Sequence, residues 1–203
     1  VNKIAWLRNA RGGKNPSIRE FSKICIDSGC HGITVHPRDD MRHINPDDVK
    51  ILKNLTIQSE VEFNIEGNPF SDRKGKYPGF LKLIKTYQPD QCTLVPDESN
   101  QLTSDHGWDL LQDNSQLSRI IKKIRSYGSR VSLFIDPDED SISKAKEIGA
   151  DRIELYTGPY ADAINRKIKI DGILETFSKA AEHARNIGLG VNAGHDLNLS
   201  NLK

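Results

Sequence analysis

The chain has 203 residues, 28% charged and 36% hydrophobic, with 29 Lys and Arg against 28 Asp and Glu for a net charge of +1. That is globular composition with enough chain for a sizeable core; it excludes wholesale disorder and argues against a strongly basic nucleic-acid binder. No apolar run approaches the ~18 residues that a membrane span needs, and the opening VNKIAWLRNARGG lacks the apolar stretch of a signal peptide.

In chain order, the first short apolar run, Ile4–Leu7, reads as a strand. A helical stripe follows (Ile18, Phe21, Ile24, Cys25), closed by Ser28-Gly29, and then a strand at Gly32–Val35. Strands are expected next at Val61–Ile65 and Cys92–Val95. Beyond them come a helix with Leu117, Ile120, Ile121 and Ile124 inward, and a strand at Val131–Ile135. Ser143, Ala145 and Ile148 mark a weaker helix before the strand Ile153–Tyr156. Phe177, Ala180, Ala181 and Ala184 mark another before Leu189–Asn192. Glycine just past several helices (Gly29, Gly128, Gly149, Gly188) supplies the left-handed cap that ends them.

Strand, helix, glycine and strand again is the pattern of βα units on a parallel sheet. A doubly wound sheet and a (β/α)₈ TIM barrel both fit. No GxGxxG follows the first strand and no GxxxxGK[ST] occurs, which removes the best signal for dinucleotide and P-loop folds. Polar residues gather at strand C-terminal ends, the face on which barrels build active sites, so a single TIM-barrel domain over residues 1–203 is expected. Seven units are expected here, so an eighth strand and a final helix would lie beyond Lys203. The three cysteines (Cys25, Cys30, Cys92) lack CxxC spacing and fit reduced thiols in a cytoplasmic protein.

The densest chemical segment is GITVHPRDDMRHI, residues 32–44. His36 closes a strand, and Arg38, Arg42 and His43 follow; arginine forks with imidazole suit a phosphate, though a solvated loop reads the same way. Glu66 ends the strand in FNIEGNP, where a partly desolvated carboxylate can move protons near neutrality. Glu154 lies inside the apolar strand RIELYT, a costly place for a charge unless function needs it. Asn192 and His195 stand at the end of the last strand in VNAGHDL, where Gly194 allows close backbone approach. No HxH or HExxH is present, so no metal is expected, and no strand lysine suggests a Schiff base.

These segments carry a resemblance. IAWLRNARGG, GITVHPRDDMRHI, FNIE, LVPDE, VSLFIDPD, IELYTGPYADA and VNAGHDL, in that order, resemble the pyridoxine 5′-phosphate synthase family of deoxyxylulose-dependent vitamin B6 biosynthesis. The resemblance implies a TIM barrel assembled as a homo-octamer. Its reaction would condense 3-amino-2-oxopropyl phosphate with 1-deoxy-D-xylulose 5-phosphate, releasing inorganic phosphate and water without a cofactor. Position by position it implies His36 and Glu66 as bases, His195 as general acid and Glu154 as a stabiliser of the transition state. Arg11 would contact the amino-ketone phosphate, and Arg38, His43 and Thr103 the deoxyxylulose phosphate. Asp196 would contact the amino ketone, although many members have glycine there. Asn2 and Lys3 stand near an Asp-His pair common in the family, and they are candidate ligands.

SDRKGKY, after Glu66, looks like an inserted, mobile surface loop, and the polar loop from Asp97 to Trp108 is expected to be a lid, mobile without ligand, carrying Thr103. The competing readings are another phosphosugar isomerase or aldolase on a barrel, and a non-catalytic phosphate-binding paralogue.

Overall fold

The structure is a computed structural model that describes residues 1–98 and 101–202. It falls into two compact units: Val1–Gln101 with Lys123–Arg130, and Leu102–Lys122 with Val131–Lys203.

The first unit opens with two helices, α1 (Asn2–Ala10) and α2 (Ile18–Asp27). Then β1 (Gly32–Val35), α3 (Pro46–Gln58), β2 (Glu62–Gly67), α4 (Phe80–Tyr87) and β3 (Gln91–Leu94) alternate. The run Ile4–Leu7, expected as a strand, is part of α1, and this corrects the sequence reading. Four apolar residues are too few to separate strand from helix. Here Ala5, Leu7, Arg8 and Ala10 are strong helix formers, and only Ala5 is fully buried.

β1, β2 and β3 are parallel neighbours, with Thr34 opposite Asn64 and Glu66 opposite Thr93. One face carries Ile33, Val35, Phe63, Ile65, Cys92 and Leu94, all buried, and α3 packs on β1 and β2. The other face carries Thr34, Asn64, Glu66, Gln91 and Thr93. Asn64 Nδ2 donates to Thr93 Oγ1 at 3.0 Å and to Thr34 Oγ1 at 3.2 Å, so these buried polar groups satisfy one another. α3 starts sharply: Asn45 and Asp48 form a reciprocal capping box, with Pro46 in the first turn.

α5 (Ser115–Arg125) begins in the second unit and ends in the first, and β4 (Arg130–Ile135) belongs to the second from Val131 onward. α6 (Glu139–Glu147), β5 (Arg152–Tyr156), α7 (Gly158–Asn165), α8 (Asp171–Asn186) and β6 (Gly190–Gly194) follow in the second unit. β4, β5 and β6 are again parallel, with Phe134 opposite Glu154 and Glu154 opposite Asn192. Leu133, Ile135, Ile153 and Leu155 form the buried apolar face, while Arg152, Glu154 and Tyr156 alternate onto the other. α8 packs on β6 and α6, and its Ala180 and Ala184 are buried.

Six strands are thus found among the described residues, rather than the seven expected. Each is parallel to its neighbour within its unit, with helices in the crossovers, which is the repeating element of a (β/α) barrel. The segment SDRKGKY is anchored rather than a bare surface loop. Lys74 pairs with Tyr77 across a tight turn, Tyr77 is 1% exposed, and Lys74 Nζ reaches Asp39 at 3.0 Å. No helix among the described residues is long and apolar enough to cross a membrane.

Candidate active site

In the first unit the candidate residues converge where β1 and β2 end. His36 follows Val35, the last residue of β1; Glu66 is the penultimate residue of β2. His36 Nδ1 and Glu66 Oε1 are 3.1 Å apart, with side chains 9% and 15% exposed. The main-chain N–H of His36 donates to Asn2 Oδ1 at 2.8 Å, so the first turn of α1 fixes the end of β1. A carboxylate against an imidazole nitrogen orients the ring and passes protons to and from it, the working part of a general-base pair.

His43 stands edge-on to His36, ring centroids 5.9 Å apart. Burial first, then the nearby His36 and Arg38, push its pKa down to about 4, so its imidazole is neutral at neutral pH. Its Nδ1 accepts from the main-chain N–H of Ile44 at 2.9 Å, which places the ring proton on Nε2 as a donor.

Arg38 is 7% exposed. Its Nη1 donates to Asp97 at 2.7 Å, and its Nη2 donates to the carbonyls of Glu98 and Gln101, both at 2.9 Å. Of five guanidinium donors, Nε–H and the second Nη1–H are left over from these bonds. Part of the expected lid, Ser99 and Asn100, lies outside the described residues; the residues flanking them supply these Arg38 acceptors.

Four residues of this region carry structural work that pattern reading missed. Arg8 forms a two-pronged ion pair with Asp48, at 2.5 and 2.8 Å, with side chains 11% and 4% exposed. The bond to Asp48 holds the Arg8 pKa above its ordinary value. Asn9 Nδ2 donates to the carbonyls of His43 at 2.8 Å and Arg42 at 3.1 Å. Together these side chains pin the segment that carries His43 to α1 and to the α3 cap. Asp97 is the fourth, as the partner of Arg38. For Arg8 and Asn9 the available signal was the run RNARGG, in which Arg11 alone had an assigned role. Lys3 and Arg11 are solvent-exposed, on α1 and just after it.

In the second unit the candidates gather at the end of β6. His195 Nε2 lies 3.0 Å from Thr103 Oγ1, and its Nδ1 lies 2.9 Å from Asp196 Oδ2. The ring stands edge-on to Tyr156 with centroids 5.3 Å apart, and Phe134 is tilted against both rings. His195 and Asp196 have φ of 99° and 57°, a left-handed stretch that side-chain-bearing residues seldom adopt. Thr157 holds it: its Oγ1 donates to the His195 carbonyl at 2.5 Å and its N–H to the Gly194 carbonyl at 3.1 Å.

Glu154 is half-buried in β5, level with Asn192 on β6. A Cβ at Gly194 would come within 2.6 Å of Glu154 Oε1, so glycine there makes room for the carboxylate. Asn192 Oδ1 also accepts from Arg152 Nε at 3.0 Å. Tyr156 was not a sequence candidate, though the alternation of RIELY places it on the face of Glu154. Burial, then the carboxylates of Asp196 and Asp105, raise its pKa. Among the described residues no group of three or more His, Cys, Asp or Glu side chains is arranged to hold a metal ion. Cys25, Cys30 and Cys92 are free thiols.

Comparison with known proteins adds a family. All of residues 1–203 match the family described as pyridoxal phosphate biosynthesis protein PdxJ. A pyridoxine 5′-phosphate synthase of Xanthomonas axonopodis pv. citri (strain 306) is 54% identical over 202 residues, covering 100% of this chain and 79% of its own length. Its namesake from Xylella fastidiosa (strain M12) is 50% identical, again over 100% of this chain and 77% of its own. Among solved structures, a deoxyribose phosphate aldolase from Aeropyrum pernix superposes with a TM-score of 0.55 at 18% identity, covering 87% of this chain and 68% of its own. A D-psicose 3-epimerase from Clostridium cellulolyticum H10 superposes with a TM-score of 0.51 at 11% identity, covering 89% and 68%. Those last two are likenesses of fold alone.

Proposed function

This chain belongs to the pyridoxal phosphate biosynthesis protein PdxJ family, and its activity is that of a pyridoxine 5′-phosphate synthase; we propose that it works by condensing 3-amino-2-oxopropyl phosphate with 1-deoxy-D-xylulose 5-phosphate. Inorganic phosphate and water are the other products. Joining an amine to a ketone, losing water and closing an aromatic ring is mainly a series of proton transfers, for which imidazoles and carboxylates suffice.

The observation that carries this chemistry is the His36–Glu66 pair, 3.1 Å apart and largely withdrawn from water. His36 takes a proton from substrate while Glu66 orients the ring, and Glu66 then serves as the second base. His43, neutral and donating from Nε2, hydrogen-bonds the deoxyxylulose phosphate without the cost of stripping water from a buried cation. The two uncommitted donors of Arg38 face the same task, and Thr103 contacts the same substrate. Glu154 stabilises positive charge as the ring closes, and His195 donates the proton that helps water leave. Asn2, Lys3, Arg11 and Asp196 bind the amino ketone and its phosphate. Residues 1–203 form one domain of a TIM barrel, acting in the cytoplasm as a homo-octamer without a cofactor.

The test is to incubate purified protein with both substrates and follow pyridoxine 5′-phosphate by fluorescence alongside inorganic phosphate. The reading requires one phosphate per product and no turnover when either substrate is left out. Cleavage or isomerisation of the sugar phosphate alone would overturn it in favour of an aldolase or isomerase. Binding without turnover would favour a phosphate-binding paralogue.

A further inference from the structure

We infer that Asp196 is a positioning residue for His195, fixing which imidazole nitrogen carries the proton. This rests on the reading above, in which His195 is the general acid.

The two nitrogens of His195 meet different partners. Nδ1 lies 2.9 Å from Asp196 Oδ2, and an ionised carboxylate can only accept a hydrogen bond. The proton on Nδ1 is therefore the one held, and in the neutral ring Nε2 carries the lone pair. Nε2 faces a hydroxyl, Thr103 Oγ1 at 3.0 Å, which can either donate or accept. When the ring gains a second proton it arrives on Nε2, and only that proton is placed for transfer. In the transfer the Nε2–H bond breaks and an O–H bond forms on the substrate; the electron pair stays on Nε2. Asp196 keeps Nδ1–H throughout, so the ring returns to one tautomer ready for the next proton.

Both residues take positive φ, and in that turn the Asp196 carboxylate meets the imidazole of the residue before it. Three bonds hold it: those of Thr157 to the Gly194 and His195 carbonyls, and that of Asn201 Nδ2 to the Asp196 carbonyl at 3.0 Å. Tyr156 and Phe134 then limit rotation of the ring. Asp196 is half exposed, with its side chain 50% accessible, so its attraction for the ring is screened and its contribution is chiefly orientation.

Two variants separate this role from substrate contact. Asp196→Gly removes the acceptor, and glycine is at ease at a φ of 57°. Asp196→Asn keeps the shape but can turn an amide N–H toward Nδ1, which favours the opposite tautomer. Nitrogen-15 NMR of the imidazole at a pH where it is neutral should show the proton on Nδ1 in the wild type, with that preference lost in both variants. In the synthase assay both should lose about 10- to 100-fold in kcat, the usual size of an orienting-partner effect, with KM for 1-deoxy-D-xylulose 5-phosphate, which Asp196 does not contact, changed less than about twofold.

A wild-type ring protonated on Nε2 would overturn the inference. So would variants that raise KM and leave kcat unchanged, which is what a substrate contact alone predicts. If the wild type makes no pyridoxine 5′-phosphate, the functional reading fails, and the NMR result still decides the role of Asp196.

Discussion

The clusters around His36 and His195 each place a histidine directly after the C-terminal end of a parallel strand, yet they hold it in different ways. His36 is not among the positive-φ residues and is fixed from a distance in sequence, by Asn2 at its main-chain N–H and Glu66 at its ring. Its surroundings are closed: Arg38 and Asp97 are 6% and 4% exposed at their side chains, Arg8 and Asp48 11% and 4%. His195 is fixed locally, by the next residue in the chain and by a positive-φ turn. Its side chain is 19% exposed and that of its partner 50%. Burial makes the first histidine rigid through long-range packing, whereas turn geometry does the same for the second with little burial. The first therefore answers strongly to mutations that strand a buried charge, the second to changes in backbone conformation.

The largest effect is expected at the closed cluster. His36→Asn and Glu66→Gln should each lower kcat by about 10²- to 10⁴-fold, the range for a lost acid or base, with circular dichroism unchanged. A near wild-type rate in either would remove that residue from the chemistry and dissolve the contrast. Next comes Arg8→Met, which leaves Asp48 buried without its cation. It should cost about 3 kcal/mol of stability, read from the urea midpoint. Because His43 hangs on the same brace, KM for the sugar phosphate should rise as well. Thr157→Val, in the open cluster, should cost only about 1 kcal/mol, the value of one hydrogen bond.

A smaller effect depends on pH. The His43 pKa falls from 6.5 to about 4 on folding. Between those values the unfolded chain binds a proton that the native state does not, so stability rises with pH in that window. The contribution is complete above 6.5 and is lost as pH falls through about 4. His43→Gln should flatten the pH dependence of stability across the window by on the order of 3 kcal/mol. An unchanged slope would show that His43 is not held neutral by burial. The smallest effect is Thr103→Val, on an exposed side chain: stability should stay within about 0.5 kcal/mol, while KM for the sugar phosphate increases.

Much of this was legible in the sequence because strand ends advertise themselves. Apolar runs stopping at His36, Glu66 and His195 gave both the parallel-strand pattern and the candidate chemistry, and glycines marked the helix ends. Ile4–Leu7 misled because a four-residue apolar run fits a strand or one helical turn, and only packing decides between them. Asp97, Asp48 and Asn9 were invisible for a related reason. Their roles are contacts with residues far away in the chain, and an acid or amide in a polar stretch of sequence looks the same whether or not it meets a distant partner. The left-handed turn at His195 and Asp196 was hidden because neither is glycine, the residue that signals such backbone.

If the His36–Glu66 pair acts on a substrate whose phosphate is held beside it, a structure with bound 1-deoxy-D-xylulose 5-phosphate should show the phosphate within hydrogen-bond distance of His43 Nε2, and the sugar carbonyl end within reach of His36 and Glu66. A phosphate seated elsewhere, such as the groove lined by Lys14, Arg19 and Asn54 between α2 and α3, with nothing bound against His36 and Glu66, would contradict it.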